Sequence, residues 1–152
     1  EKKVETPTRD VPRLKLLLVE DGRVNQIVAT QFLEEAGHHV VLANNGIEAL
    51  EKLKVGTFDG ILMDMRMPEM DGYETTTIIR ESEKKNGTHI PIIAMTANAM
   101  EGDRENCLSF GMDDYLAKPV RAEALYRVLE RNLISEKTGD QRRPNRPGDV
   151  GN

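Results

Sequence analysis

The sequence has little of what several large classes of protein require. It contains a single cysteine, Cys107, so no disulfide can form within the chain, and we interpret this residue as a small packing residue on a helix. No apolar run approaches the roughly 20 residues of a membrane-spanning helix, and the N-terminus lacks the apolar stretch of a signal peptide. Lys and Arg number 21 against 26 Asp and Glu, and the resulting net charge of −5 argues against nucleic acid as the main partner. We therefore expect a cytoplasmic domain with neither a membrane segment nor a nucleic-acid site.

Strand-like and helix-like segments alternate along the chain. Five short apolar runs are typical of strands, at about 14–19, 39–43, 60–63, 90–95 and 114–117. Five segments with helical spacing follow them, at about 22–36, 45–55, 71–83, 98–110 and 121–133. Because each helix must carry the chain back to the start of the next parallel strand, this order predicts an α/β fold with helices on both faces of a parallel sheet.

The two ends of the chain differ from this alternating part. Residues 1–12 are polar and contain two prolines, which predicts an arm or linker. Residues 135–152 are rich in Gly, Pro and charge, and cannot bury enough apolar surface to offset the entropy of ordering them. We expect a disordered tail there, which leaves 13–134 as the folded domain.

Reactive side chains follow four of the predicted strands at the point where each one ends. Glu20 and Asp21 follow the first strand, Asp64 the third, Thr96 the fourth and Lys118 the fifth. Because the carboxyl ends of parallel strands meet at one edge of the sheet, three carboxylates, a hydroxyl and an ammonium group should converge there. This edge is the candidate site, and Asp64 is the first candidate for a reactive group.

Each of these residues also has an ordinary structural interpretation. In isolation Asp64 could be a helix cap or a turn former, Thr96 a helix N-cap and Lys118 a solvated lysine. Pro119 could simply begin a helix. Two further groups have no assigned chemistry: methionines that we expect to pack in loop and core, and histidines that we expect at the surface, namely Met63, Met65, Met67, Met70, His38, His39 and His89.

Taken together, the motifs resemble the receiver domain of two-component response regulators, over roughly 14–133. The matching stretches are Leu18-Val19-Glu20-Asp21, Met63 to Gly72, Ala94-Met95-Thr96-Ala97 and Tyr115-Leu116-Ala117-Lys118-Pro119. Three segments are similar in sequence to receivers attached to hybrid sensor histidine kinases: Val24-Asn25-Gln26, Met95 to Met100 and Gly111 to Tyr115. The resemblance implies a flavodoxin-like (βα)5 fold, doubly wound, with strand order 2-1-3-4-5.

The resemblance also implies phosphoryl-transfer chemistry. Asp64 would accept a phosphoryl group from a phosphohistidine, with Lys118 and Thr96 contacting the phosphoryl oxygens. A carboxylate repels an incoming phosphoryl group and neighbouring carboxylates repel one another, so such a site needs a cation. The implied cofactor is Mg²⁺, with Mn²⁺ as a substitute, bound by Asp21, Asp64 and the backbone carbonyl of Arg66.

Several other residues acquire expected roles from the same resemblance. Glu20 would act through a metal-bound water, and the Lys118–Pro119 peptide would be cis. Phosphorylation would draw Thr96 toward the phosphate and rotate Tyr115 inward as a conformational switch.

Three further positions concern the lifetime of the phosphate. Arg66 and Asn98 would lie beside it and tune its hydrolysis. Gly22 stands where hybrid-kinase receivers usually carry Asn, which predicts a more mobile loop.

The implied partners are the phosphohistidine (dimerisation) domain of a histidine kinase and a histidine phosphotransfer domain. No effector domain follows residue 133 and no kinase catalytic motif is present, so we expect a receiver belonging to a hybrid kinase, catalysing only its own phosphorylation and dephosphorylation. A stand-alone single-domain regulator and a phosphorylation-independent interaction module are the alternatives. A flavin-binding protein of the same topology is disfavoured, because the acidic loop Glu20-Asp21-Gly22-Arg23 lacks donors for a flavin phosphate.

Overall fold

The computed structural model describes residues 12–97 and 101–134, and within them five strands alternate with five helices. The strands are β1 (Lys15–Val19), β2 (His39–Ala43), β3 (Gly60–Asp64), β4 (Ile92–Thr96) and β5 (Asp114–Ala117). The helices are α1 (Arg23–Glu35), α2 (Gly46–Val55), α3 (Gly72–Asn86), α4 (Glu101–Ser109) and α5 (Ala122–Leu129), with a π-helical turn (Glu130–Ile134) after α5. The expected arm, except for Pro12, the expected tail and Asn98 lie outside the described residues.

The strands form one parallel sheet in the order β2-β1-β3-β4-β5. The predicted strand order and the doubly wound (βα)5 fold are confirmed. In the register of the sheet, Val19 lies beside Met63, while Asp64, the last residue of β3, lies beside Met95. The carboxyl ends of the strands therefore share one edge, where the candidate residues follow.

Alternating side chains of the central strands point to opposite faces of the sheet, where they form two separate hydrophobic cores. Leu16 and Leu18 of β1 pack on one face with apolar residues of α1 and α5, and Leu17 and Val19 pack on the other face with residues of α2, α3 and α4. Because helices cover both faces, the sequences of β1, β3 and β4 are continuously apolar rather than alternating. Cys107 is fully buried on α4, as expected, and Met63, Met65 and Met67 are also buried.

Helix α3 is longer than the sequence predicts. The helical spacing predicts an end near Glu83, and the polar residues 84–89 predict a loop, but the helix continues to Asn86. Gly87 ends it in the left-handed conformation (φ 69°), with its N–H donating to the carbonyl of Glu83. The polar composition after Glu83 thus reflects an exposed last turn, and the glycine sets the boundary.

An ion-pair cluster around Arg80 of α3 holds the amino ends of β4 and β5. Its guanidinium pairs with Glu83 Oε1 at 2.7 Å and with Asp113 Oδ2 at 2.9 Å. It also donates to the carbonyls of Ile90 and Gly111. The cluster lies at the edge of the sheet opposite the candidate site.

Two expectations about burial are wrong. The helical spacing of Ile47, Leu50 and Leu53 predicts that all three are buried under α2, but Ile47 is 43% exposed. His38, expected at the surface, is only 4% exposed, because it lies beneath the start of β1 and its Nδ1 accepts the N–H of Leu14 at 3.1 Å. Burial lowers the pKa of His38. His39 and His89 are exposed, as expected.

Among the described helices, none combines the length and the apolar character needed to cross a membrane.

Candidate functional site

The strand ends bring the predicted residues together in one cleft. Lys118 Nζ, beyond β5, lies 2.9 Å from Asp64 Oδ1 at the end of β3 and 3.2 Å from Glu20 Oε1 after β1. Asp64 and Glu20 are each 2% exposed, and Thr96 at the end of β4 is 6% exposed. One ammonium group therefore bridges two buried carboxylates that are 44 positions apart in the sequence.

Three carboxylates of the cleft are close enough to share a cation. One oxygen from each of Glu20, Asp21 and Asp64 lies within 4.8 Å of the others. Glu20 Oε1 is buried, and among the described residues its one polar neighbour is Lys118 Nζ, with which it forms an ion pair without hydrogen-bond alignment. A buried carboxylate oxygen without a hydrogen bond, beside two further carboxylates, fits a hard cation such as Mg²⁺.

The electrostatics of the cleft raise the affinity of Asp64 for a proton. Burial is the main cause and raises the pKa of Asp64 to about 6, although the hydrogen bond from Lys118 opposes the shift. The negative charge of Glu20 raises it further. For Lys118, burial acts to lower the pKa, but the hydrogen bond and charge of Asp64 together with Glu20 outweigh it and raise the pKa. Lys118 is therefore a fixed positive charge in the cleft.

Backbone contacts after β3 hold the Asp64 carboxylate in place. The N–H of Arg66 donates to Asp64 Oδ1 at 3.3 Å, while the Arg66 side chain is exposed. The chain then folds back so that the N–H of Gly72, the first residue of α3, donates to the carbonyl of Met65 at 3.3 Å. The start of α3 therefore packs directly on the end of the strand that presents Asp64.

The end of β5 positions Lys118. Its N–H donates to the carbonyl of Thr96 at 2.9 Å, and the Lys118–Pro119 peptide is cis. Tyr115, expected to act with Thr96, is half-buried on the same strand and pairs in register with Ala94. The two expected switch residues thus stand on adjacent strands that end at the cleft.

Sequence reasoning missed a set of amide side chains behind Glu20. Asn25 Nδ2 donates to Glu20 Oε2, and Gln26 Nε2 donates to the carbonyl of Glu20 and to Asn44 Oδ1. The only sequence signal for these contacts was the similarity of Val24-Asn25-Gln26 to hybrid-kinase receivers, and that similarity assigned no function to Asn25 or Gln26. Gly22 donates its N–H to Glu20 Oε2 at 3.0 Å.

Comparison with known proteins agrees with the fold and with the cleft. Residues 16–130 match the response regulator receiver domain family. The chain therefore belongs to the response regulator receiver family, and the resemblance stated from the motifs is confirmed.

Among curated proteins, it is 43% identical over 129 residues to hybrid signal transduction histidine kinase B of Dictyostelium discoideum. That match covers 78% of this chain but only 7% of the kinase, so the chain corresponds to a small part of such relatives.

Two solved structures extend the comparison. The receiver domain of sensor histidine kinase PA1611 from Pseudomonas aeruginosa, with a magnesium ion coordinated in its active-site cleft, is 49% identical with a TM-score of 0.71, covering 79% of this chain and 97% of that one. The receiver domain of Saccharomyces cerevisiae Ssk1, crystallised with the histidine phosphotransfer protein Ypd1, is 31% identical with a TM-score of 0.82, covering 88% and 97%. The expected likeness to receivers of hybrid histidine kinases is confirmed by the relatives.

Proposed function

We propose that this receiver accepts a phosphoryl group from a phosphohistidine on the carboxylate of Asp64. An Asp64 oxygen forms a bond to phosphorus, the phosphorus–nitrogen bond of the donor breaks, and its electron pair stays on the imidazole nitrogen. The contact of 2.9 Å between Lys118 Nζ and Asp64 Oδ1 carries this proposal, because it places a fixed positive charge beside the attacking group. Lys118 and Thr96 would then contact the phosphoryl oxygens.

The carboxylates of the cleft would hold Mg²⁺. Asp21, Asp64 and the backbone carbonyl of Arg66 are the proposed direct ligands, and Glu20 would act through a water. When bound, the ion neutralises the negative charge that the carboxylates and the phosphoryl oxygens bring together. The magnesium ion in the 49% identical PA1611 receiver domain supports this assignment. We expect Mn²⁺ to substitute.

The output is proposed to be a change at Thr96 and Tyr115. A phosphoryl group on Asp64 adds negative charge and hydrogen-bond acceptors beside Thr96. Movement of Thr96 toward those acceptors opens space behind it for Tyr115, one strand away. Arg66 and Asn98 would tune hydrolysis of the phosphate, and Gly22 would leave the first loop more mobile.

We propose that the chain functions as the receiver of a hybrid histidine kinase in the cytoplasm. Its partners would be the phosphohistidine domain of a kinase and a histidine phosphotransfer protein, as in the Ssk1–Ypd1 complex of the yeast relative. On α1, beside the cleft, Val24 is 71% exposed, Ile27 54% and Val28 36%. An apolar row at this position is a suitable docking surface for a partner that must bring a histidine to Asp64.

Intact mass after incubation with a small phosphodonor and Mg²⁺ tests the central proposal. The native chain should gain one phosphoryl group, and Asp64→Asn should gain none. Glu51→Gln, which removes an exposed carboxylate on α2, is the matched control and should behave like the native chain. A folded native chain that gains nothing would favour the phosphorylation-independent interaction module instead. A native chain that is phosphorylated but has no transfer partner would favour a stand-alone regulator.

A further inference from the structure

The two carboxylate oxygens of Glu20 have different surroundings. Oε2 accepts the N–H of Gly22 at 3.0 Å and the side-chain amide of Asn25 at 3.3 Å. Oε1 accepts no hydrogen bond from the described residues and faces Lys118 Nζ at 3.2 Å. Because Glu20 is 2% exposed, water cannot replace these donors freely. The carboxylate is therefore held by one oxygen, which directs the other into the cleft.

The backbone of Glu20 is held by a second amide. Gln26, 7% exposed on α1, donates from Nε2 to the Glu20 carbonyl at 2.6 Å and to Asn44 Oδ1 at 2.8 Å. Both amide hydrogens of its side chain are used in this way. Asn44 in turn donates from its backbone N–H and its side chain to Glu48 Oε1 in the first turn of α2. The end of β1 is thus tied to the loop that follows β2.

We propose that Asn25 and Gln26 are positioning residues that fix Glu20 and thereby set the Mg²⁺ affinity of the cleft. The inference rests on the proposed function, because it assumes that the cleft binds this cation. Asn25 fixes the carboxylate and Gln26 fixes the main chain from which it projects. Groups that orient the oxygens around a metal influence its affinity strongly, because small displacements degrade the required geometry.

Calorimetric titration with Mg²⁺ alone tests the proposal. Asn25→Ala removes one donor to Glu20 from an exposed position and should not impair folding. Gln26→Met keeps the length of the buried side chain but donates nothing. Each should weaken Mg²⁺ binding by about 10-fold or more, the usual cost of losing such an orienting contact. Gln31→Met is the matched control, because Gln31 lies on the same helix, is exposed, and donates its side-chain hydrogen bond to Glu35 at 3.4 Å, away from Glu20. The Mg²⁺ affinity of the Gln31→Met variant should equal that of the native chain.

A double-substitution cycle separates positioning from a general structural effect. If Asn25 acts through the Glu20 carboxylate, Asn25→Ala should cause little further loss when added to Glu20→Gln. A full 10-fold loss in the Glu20→Gln background would overturn the proposal. Equal Mg²⁺ affinities in the native chain and in both single variants would also overturn it, while leaving the proposed function intact.

A readout without metal distinguishes this failure from failure of the function itself. Gly22 donates its N–H to the same oxygen as Asn25, so the amide proton of Gly22 should shift in the NMR spectrum of metal-free Asn25→Ala and not in that of Gln31→Met. An unchanged Gly22 amide would contradict the positioning role. If the Gly22 amide shifts in Asn25→Ala but the native chain binds no Mg²⁺, then Asn25 orients Glu20, the link to Mg²⁺ affinity is overturned, and the cation is removed from the proposed function.

Discussion

Replacing Gly72 with alanine should damage both the stability of the domain and its phosphorylation. A Cβ at this position would lie 2.6 Å from the carbonyl oxygen of Asp64, 2.8 Å from Met65 Sδ and 3.0 Å from Met65 Cα. Two of these three atoms belong to the backbone at the end of β3, so they cannot turn aside as a flexible side chain would. Relief of the clash requires α3 and the end of the strand to separate, which moves Asp64.

The magnitude follows from the cost of overpacking. Forced insertion of a methyl group into a packed site lowers the free energy of unfolding by about 1–3 kcal/mol. We expect a loss of about 3 kcal/mol here, because the atoms that the methyl group meets belong to the backbone and cannot move aside. The higher helix propensity of alanine relative to glycine offsets at most about 1 kcal/mol of this loss. A displacement of Asp64 on the order of 1 Å would slow phosphorylation by about 100-fold.

Urea denaturation and the rate of phosphorylation by a small phosphodonor measure the two effects. Gly56→Ala is the matched control: the nearest atom to its Cβ would be 3.7 Å away, so its free energy of unfolding should stay within about 0.5 kcal/mol of the native value. If Gly72→Ala were as stable as Gly56→Ala and were phosphorylated at the native rate, the close packing of α3 on the Asp64 strand would be refuted.

Three further outcomes follow from charges described above. Since the pKa of metal-free Asp64 is about 6 and Mg²⁺ requires the carboxylate, calorimetry should show binding that weakens below pH 6, with protons released; pH-independent binding would contradict this. Burial lowers the pKa of His38 below its unfolded value of 6.5, so His38 contributes stability above pH 6.5 that is lost as the pH falls toward its folded pKa. His38→Asn, whose side-chain oxygen can still accept the N–H of Leu14, should flatten this part of the pH dependence of unfolding in urea, and an unaltered curve would exclude the histidine as its source. Arg80→Met removes the cation shared by two partly buried carboxylates, Glu83 and Asp113, which keep hydrogen bonds from the N–H groups of Ile90 and Ile92. It should cost about 3 kcal/mol in the same assay, whereas Lys84→Met, which removes an exposed pair with Glu81, should cost under about 1 kcal/mol; equal losses would show that the Arg80 cluster is not stabilising.

The fold and the membership of the cleft could be predicted because both depend on local patterns. The apolar runs before Glu20, Asp64 and Thr96 define buried parallel strands, and parallel strands must end at a common edge. A polar residue directly after such a run is therefore placed by topology alone. The contacts between Lys118 and its two carboxylates are a consequence of that placement.

The contacts behind the cleft could not be predicted in the same way. Gln26 and Asn25 follow one another on α1, yet Gln26 is buried and Asn25 is exposed, and their partners are set by how the helix packs against the end of β1. His38 was misjudged because its burial depends on the position of the first strand above it. The end of α3 was misjudged because polar residues are compatible with both a loop and an exposed helical turn, and only Gly87 distinguishes them.

The order of the strands has a consequence for synthesis of the chain. β1 is made first but lies inside the sheet, between β2 and β3, and the cleft draws residues from positions 20 to 118. A nascent chain that has not yet released β5 from the ribosome lacks Lys118 and cannot complete the cleft. Any ligand that binds there recognises only the finished domain, so its binding free energy adds to the stability of the whole sheet. Saturation of the cleft would therefore protect even the buried amides of β1 and β3 against hydrogen exchange by global unfolding.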